Sequence, residues 1–194
     1  MFTPDFLKSK FEKGLEYEAY LKSGKPDQLE SWKKFERVAR EHASLNSQQR
    51  SSLRDFARKI HVFVLSGLWC GDCVAQVPLI HIIADEHPDL IQVRYLDRDL
   101  HMDLAEQVRI CGGLRVPTVI FASEDFEFVG LAGDKSLSRL RSLAAKALGA
   151  SCPLPTAEVA HDEIAATLDD WLREIERVHL TLRLSPKLRQ RHGD

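Results

Sequence analysis

Trp69-Cys70-Gly71-Asp72-Cys73 is the stretch of this 194-residue chain whose residue types and spacing can carry chemistry. Two residues between cysteines suit one turn of helix, which brings the sulfurs close enough to bridge. The stretch follows a β-rich apolar run, so the pair is expected where a strand hands over to a helix. A sulfur at a helix N-terminus meets unpaired backbone N–H groups and the positive end of the helix dipole. Both favour thiolate over thiol. Cys70, nearer the mouth, is the expected attacking thiolate. Cys73, one turn further in, is expected to be more buried and to resolve the mixed disulfide. Gly71 lets the backbone turn and approach a substrate, and Trp69 offers an apolar platform at the rim. Asp72 opposes thiolate formation as a nearby negative charge, although a carboxylate also suits the first turn of a helix.

The competing reading is a metal site. Zinc takes about four ligands, and no second Cys-x-x-Cys or spaced Cys/His pair supplies them, so no metal is expected. Cys111, before Gly112-Gly113, reads as a small buried apolar residue at a helix end. Cys152 reads as an unpaired residue of a stiff linker, Cys152-Pro153-Leu154-Pro155. His81 and His87 read as surface or satisfied histidines. Asp97-Arg98-Asp99, at the end of a strand, reads as a solvated loop.

The elements that must position the pair follow from periodicity. Residues 1–60 read as helical, with Thr3 capping and Pro4 at the first helical position. Phe6, Phe11, Leu15 and Tyr20 follow at roughly helical spacing. A second helix is expected from Leu29 to His42 after the break at Lys25-Pro26-Asp27, and a third is capped by Asn46 or Ser47. Strands are expected over 61–66, 90–96, 117–121 and 126–131, with helices over 71–86, 102–110 and 136–148, the last with Leu137, Leu140, Ala144 and Leu148 along one inward face and stopping at Gly149. A kink is expected at Pro78. The order β-α-β-α-β-β-α implies parallel strands wherever a helix connects them and an antiparallel final hairpin. The fold class is therefore α/β, a mixed four-stranded sheet flanked by helices. Beyond the linker, Ile164, Leu168, Trp171, Leu172, Ile175, Val178 and Leu182 mark an amphipathic helix. The basic end from Pro186 to His192 is expected to be mobile.

The net charge of −2, with 44% hydrophobic and 29% charged residues, describes an ordinary soluble balance without polycation character. Neither nucleic acid nor membrane is an expected partner. A basic first 60 residues beside an acidic middle favours docking between them. The start, Met1-Phe2-Thr3-Pro4-Asp5, lacks the pattern of a signal peptide, and the expected location is the cytoplasm. Thiols there are kept reduced, so a close cysteine pair points to redox or metal chemistry more than to a structural staple.

The segments Leu65 to Pro78 and Arg115 to Phe121 together resemble the thioredoxin superfamily. Trp-Cys-x-x-Cys after a buried strand is followed just over forty residues later by Val116-Pro117-Thr118. The added helices resemble those of bacterial thioredoxin-like proteins. The resemblance covers about residues 61–149. It implies a thioredoxin-like domain over 61–150, a helical extension over 1–60, and a linker, helix and tail over 151–194. It implies that Cys70 is the nucleophile, Cys73 the resolving thiol and Pro117 a cis-proline facing them. Val116 would offer backbone hydrogen bonds to a substrate strand. The implied activity is dithiol–disulfide exchange on protein or small disulfides, fed by a thioredoxin reductase or another thiol donor. The only redox group it needs is the Cys70–Cys73 disulfide itself. Gly71-Asp72 replaces the usual Gly-Pro. Val64 stands where the family keeps a buried carboxylate, and Tyr95 where it keeps a lysine. These departures imply slower turnover or a different partner range. The alternative is an adaptor of the same fold whose cysteines are vestigial or regulatory.

Overall fold

The computed structural model describes residues 2–148 and 162–193. Gly149, Cys152 and the proline-rich linker lie outside them. Strand β1 (Ile60–Ser66) is buried along its whole length. Its continuous apolar run fits a strand covered on both faces. It pairs in parallel with β2 (Ile91–Asp97) and antiparallel with β3 (Thr118–Ala122), which forms an antiparallel hairpin with β4 (Phe128–Gly133). The sheet order is β2-β1-β3-β4.

The expected parallel crossover into β3 is not formed. Ser66 lies beside Asp97 and Leu65 beside Thr118, so the connection from β2 to β3 begins and ends at the same end of β1, its C-terminal end. Its helix α6 (Met102–Ala105) is four residues long and continues only as a short 3-10 turn over Glu106–Val108. That helix spans ~6 Å, whereas returning along a strand of this sheet needs roughly 16–23 Å. The chain therefore turns back, and β3 runs against β1.

The N-terminal segment forms α1 (Pro4–Lys13), α2 (Tyr17–Lys22), α3 (Pro26–His42) and α4 (Ser47–Arg54). Thr3 and Asn46 cap α1 and α4 with their side chains. The regular spacing of Phe6 to Tyr20 is interrupted because α1 ends at Lys13. Leu15 then bridges the edge strand at Tyr95. Pro26, expected as a break, opens α3 instead, a position that needs no N–H. These helices dock on the acidic middle through Lys10–Asp103 and Arg50–Glu86, and Arg58, in the loop after α4, pairs with Glu124. Trp32 of α3 is fully buried, edge-on to Tyr20, and its indole N–H donates to the Leu68 carbonyl at 3.1 Å. That bond ties the extension to the loop just before the cysteines. Trp32→Ala is expected to cost ~3–5 kcal/mol and lower the unfolding midpoint by roughly 10 °C, read by thermal denaturation.

Helix α5 (Gly71–Asp85) runs through Pro78 to Asp85. Helix α8 (Glu163–Arg183) buries Leu168, Trp171, Leu172, Ile175, Val178 and Leu182 within the same chain, packing against α5 and α7 (Leu137–Leu148). Helix α7 does not turn the expected Leu137 and Leu140 inward. Leu137, Leu140 and Leu143 are 52, 48 and 41% exposed, while Ser138 and Ser142 are buried. The small serines let α7 approach α8 closely, where Asp170 accepts the Ser138 N–H at 2.6 Å.

The basic end, expected to be a loose tail, instead forms a docked helix. Ser185 caps helix α9 (Pro186–His192), Leu188 is buried, and Lys187 and Arg191 each lie 2.6 Å from acidic residues of the β3–β4 hairpin, Glu127 and Asp125. Among the described residues, no helix is long and apolar enough to cross a membrane.

Candidate active site

Cys70 is the N-cap of α5, with extended backbone angles of φ −93° and ψ 119°. Its sulfur accepts the Cys73 backbone N–H at 3.3 Å, the role a serine or aspartate oxygen plays at other helix starts. The Cys70 thiol also donates to the Val116 carbonyl at 3.5 Å. Val116 precedes Pro117, and the peptide bond between them is cis, as the resemblance implied. Cys70 is half-buried and Cys73 fully buried.

The two thiols differ sharply in acidity. The Cys73 side chain beside it, helped by the backbone N–H groups of Cys73 and Asp72, lowers Cys70 to about 6, against burial and the Asp72 charge. Burial pushes the Cys73 thiol far up, and the adjoining Cys70 sulfur adds to this. Only the thiolate reacts with an alkylating agent. Alkylation of Cys70 by iodoacetamide is therefore expected to rise with pH through a midpoint of about 6 and to level off above it. Cys73 should stay unmodified across the same range.

Asp72 is not a bare negative charge beside the thiols. Arg139 meets one of its oxygens at 2.7 Å and Lys135 the other at 3.0 Å. Burial acts to raise the Asp72 carboxyl, but these two cations hold it below the usual carboxylate range. Lys135 also bonds Asp134 at 2.8 Å, and Arg139 bonds Glu163 at 2.6 Å. Asp72→Asn is thus expected to move the Cys70 midpoint below about 6, because it leaves Lys135 and Arg139 uncompensated. Lys135→Ala combined with Arg139→Ala should move it the other way, and thiolate absorbance near 240 nm during a pH titration reads both shifts.

Trp69 stands at the rim, 50% exposed. Its indole lies over Gly67, where a Cβ would overlap three ring atoms, and the Arg98 guanidinium sits 4.5 Å from the ring centre. Arg98 also donates to the Leu114 carbonyl at 3.3 Å, tying the loop before Pro117 to the end of β2. Arg98 is thus a structural member of the rim and not part of a solvated loop. Gly71 does not relieve the backbone. A Cβ there would meet nothing within 4 Å, so this glycine only leaves open space above the pair.

Sequence reasoning missed Arg98, Lys135, Arg139 and Gln76. Gln76, fully buried on α5, donates to the Asp72 and Asp134 carbonyls at 3.2 and 3.0 Å and accepts the Ser136 N–H at 2.8 Å. It fastens the chain after β4 to the cysteine helix. Its one signal in the sequence is a lone amide in an otherwise apolar helix face. Cys111 is exposed, with φ of 49° in a tight turn, and not a buried apolar residue. Val64 and Tyr95, at the family's carboxylate and lysine positions, are register partners on β1 and β2, and both are buried.

The model of the family described as Thioredoxin matches residues 14–135. Two solved structures share the fold. A protein of unknown function from Pseudomonas aeruginosa is 17% identical, with a TM-score of 0.69 over 93% of this chain and 99% of that one. An HIV epitope-scaffold is 16% identical, with a TM-score of 0.66 over 88% of this chain and 95% of the scaffold. No curated protein is similar enough in sequence to count as a match. With the family model spanning more than half of its length, the chain belongs to the thioredoxin family.

Proposed function

We propose that this protein is a thiol–disulfide oxidoreductase that exchanges its Cys70–Cys73 dithiol with disulfides of proteins or small molecules. One observation carries the reading. The accessible sulfur is the acidic one and the buried sulfur directly behind it is the weakly acidic one. An attacking thiol needs access and thiolate character, while a resolving thiol needs only proximity.

In the reducing direction the Cys70 thiolate attacks one sulfur of a substrate disulfide. The substrate S–S bond breaks, one half leaves as a thiolate, and the other half is held as a mixed disulfide on Cys70. Cys73 then loses its proton and attacks the Cys70 sulfur. The second half leaves as a thiol, and the protein pair is oxidised by two electrons to a disulfide. A thiol donor such as a thioredoxin reductase returns those electrons. The Trp69 ring and the open space above Gly71 receive the substrate chain, with Asp72 at the helix start and the Val116 backbone beside Pro117 alongside it.

The test is trapping. With Cys73→Ser the reaction should stop at the mixed disulfide, so a covalent adduct on Cys70 should accumulate and be identified by mass spectrometry after digestion. If Cys73→Ser yields no adduct and the unaltered chain reduces insulin no faster than a double Cys→Ser variant, the redox reading fails. The chain would then fit the adaptor reading, in which a partner binds equally well without either cysteine.

A further inference from the structure

Behind Cys73 lies a group of hydroxyls that the exchange reaction as written above does not use. Ser66 is the last residue of β1, fully buried, and its hydroxyl faces the Cys73 thiol. Tyr20, delivered by α2 of the N-terminal extension, is also fully buried, and its hydroxyl faces Ser66. Neither the Tyr20 Oη nor the Ser66 Oγ has a hydrogen-bond partner. Buried hydroxyls are nearly always paired, because leaving water without a partner is unfavourable. Two orphans in a row against a thiol therefore need a reason.

Packing gives no alternative reason for the tyrosine. Its ring stacks on Tyr95 at 5.7 Å and stands edge-on to Trp32 at 6.0 Å, contacts a phenylalanine would make equally well. A thiol is a poor acceptor, whereas a thiolate is a strong one. The Ser66 hydroxyl thus gains a strong acceptor only when Cys73 ionises, and its oxygen can then take the Tyr20 O–H behind it. Donors placed where charge develops, and idle beforehand, lower the barrier of the step that creates the charge.

We propose that Tyr20 and Ser66 form a donor chain, Tyr20 O–H to Ser66 Oγ and Ser66 O–H to the Cys73 sulfur, that stabilises the Cys73 thiolate during resolution of the mixed disulfide. This rests on the dithiol–disulfide reading and assigns the N-terminal extension a part in it. The bond changes are unaltered. Cys73 gives up its proton, its sulfur bonds to Cys70, the Cys70–substrate S–S bond breaks, and the proton leaves on the departing substrate thiol. Tyr20 and Ser66 exchange no electrons and act as positioning residues. The groups facing Tyr20 are Cys73, Asp97 and Cys70. Burial raises the phenol well above its ordinary value, so it donates as a neutral hydroxyl. Ser66 in turn acts to lower Cys73, against the larger effect of burial.

The experiment uses full-length reduced protein carrying Cys111→Ser and Cys152→Ser throughout, because the exposed Cys111 would also release thionitrobenzoate, and 5,5′-dithiobis(2-nitrobenzoate) in a stopped-flow instrument. Attack by Cys70 releases a first thionitrobenzoate, and attack by Cys73 releases a second. Tyr20→Phe and Ser66→Ala should leave the first phase within about twofold of the unaltered chain. Each should slow the second phase about tenfold near pH 7, the equivalent of one hydrogen bond of about 1.4 kcal/mol lost from the transition state. The pH profile of the second phase should move to higher pH in both. The double variant should be little slower than the slower single one, as expected for members of one chain. Tyr17→Phe removes a buried phenol from the same helix, one that bonds Glu36, and serves as the structural control. A second phase unchanged in both variants overturns the proposal. So does equal slowing by Tyr17→Phe. A second phase absent from the unaltered chain instead overturns the dithiol reading beneath it.

Discussion

Cys70→Ser is expected to drop insulin reduction to the uncatalysed rate, on the order of 10³-fold or more below the unaltered chain. The expectation follows from the two sulfurs being unequal. Cys70 caps α5, reaches solvent and has its acidity lowered to about 6, so near neutral pH it is mostly thiolate. A serine hydroxyl in its place can still accept the Cys73 N–H and cap the helix, so the fold should survive. It would remain protonated and could not attack sulfur. Cys73→Ser differs in kind, since the first thiol exchange still proceeds and the block falls on the second. In the thionitrobenzoate-release assay, with Cys111 and Cys152 replaced, Cys70→Ser should show neither phase, whereas Cys73→Ser should show the first alone. Equal insulin-reducing activity of Cys70→Ser and the unaltered chain would remove Cys70 from the reaction.

Gly133→Ala is expected to be the most destabilising single-methyl change near the site, costing about 2–4 kcal/mol. Gly133 ends β4 with φ of +131°, a region L-residues rarely adopt. A Cβ there would also overlap the carbonyl oxygen of Pro117 and press on the Thr118 backbone. The obstacle is backbone of the loop that faces Cys70, so it cannot swing aside like a flexible side chain. The neighbouring residues Asp134, Lys135 and Ser136 carry contacts to Asp72 and Gln76, so a displaced turn also disturbs the charge balance beside the thiols. The variant should therefore show a lower unfolding midpoint in chemical denaturation together with an altered alkylation midpoint for Cys70. Unchanged stability would show that the turn can relax, and the close approach would then count for nothing.

Much of the fold was legible because the signals were local. The run His61-Val62-Phe63-Val64-Leu65-Ser66 reads as a buried strand, and it is one of the two inner strands. The α8 stripe from Ile164 to Leu182 reads as one amphipathic helix and is one. Where reading failed, a long-range partner decided. The spacing of Phe6 to Tyr20 suits a single helix, yet Leu15 leaves it to bridge Tyr95, some eighty residues away in sequence. The leucines of α7 mark an inward face by pattern, but α8 offers Asp170 to the Ser138 N–H and the helix turns its serines inward. The tail from Lys187 reads as solvated until the acidic hairpin at Asp125 and Glu127 is brought beneath it.

The chain's own order of residues determined where the cysteine pair lies and which cysteine is accessible. A strand, a cysteine and a helix in succession place a sulfur against free backbone N–H groups whatever surrounds them. What only the tertiary structure decided is the company those sulfurs keep. Arg139 and Lys135 neutralise Asp72 from more than sixty residues away, Arg98 backs Trp69, and Tyr20 and Ser66 stand behind Cys73. Helix starts and strand alternation come from neighbours in sequence. Ion pairs and buried hydroxyls depend on distances in space, which exist only once the sheet has brought distant segments together.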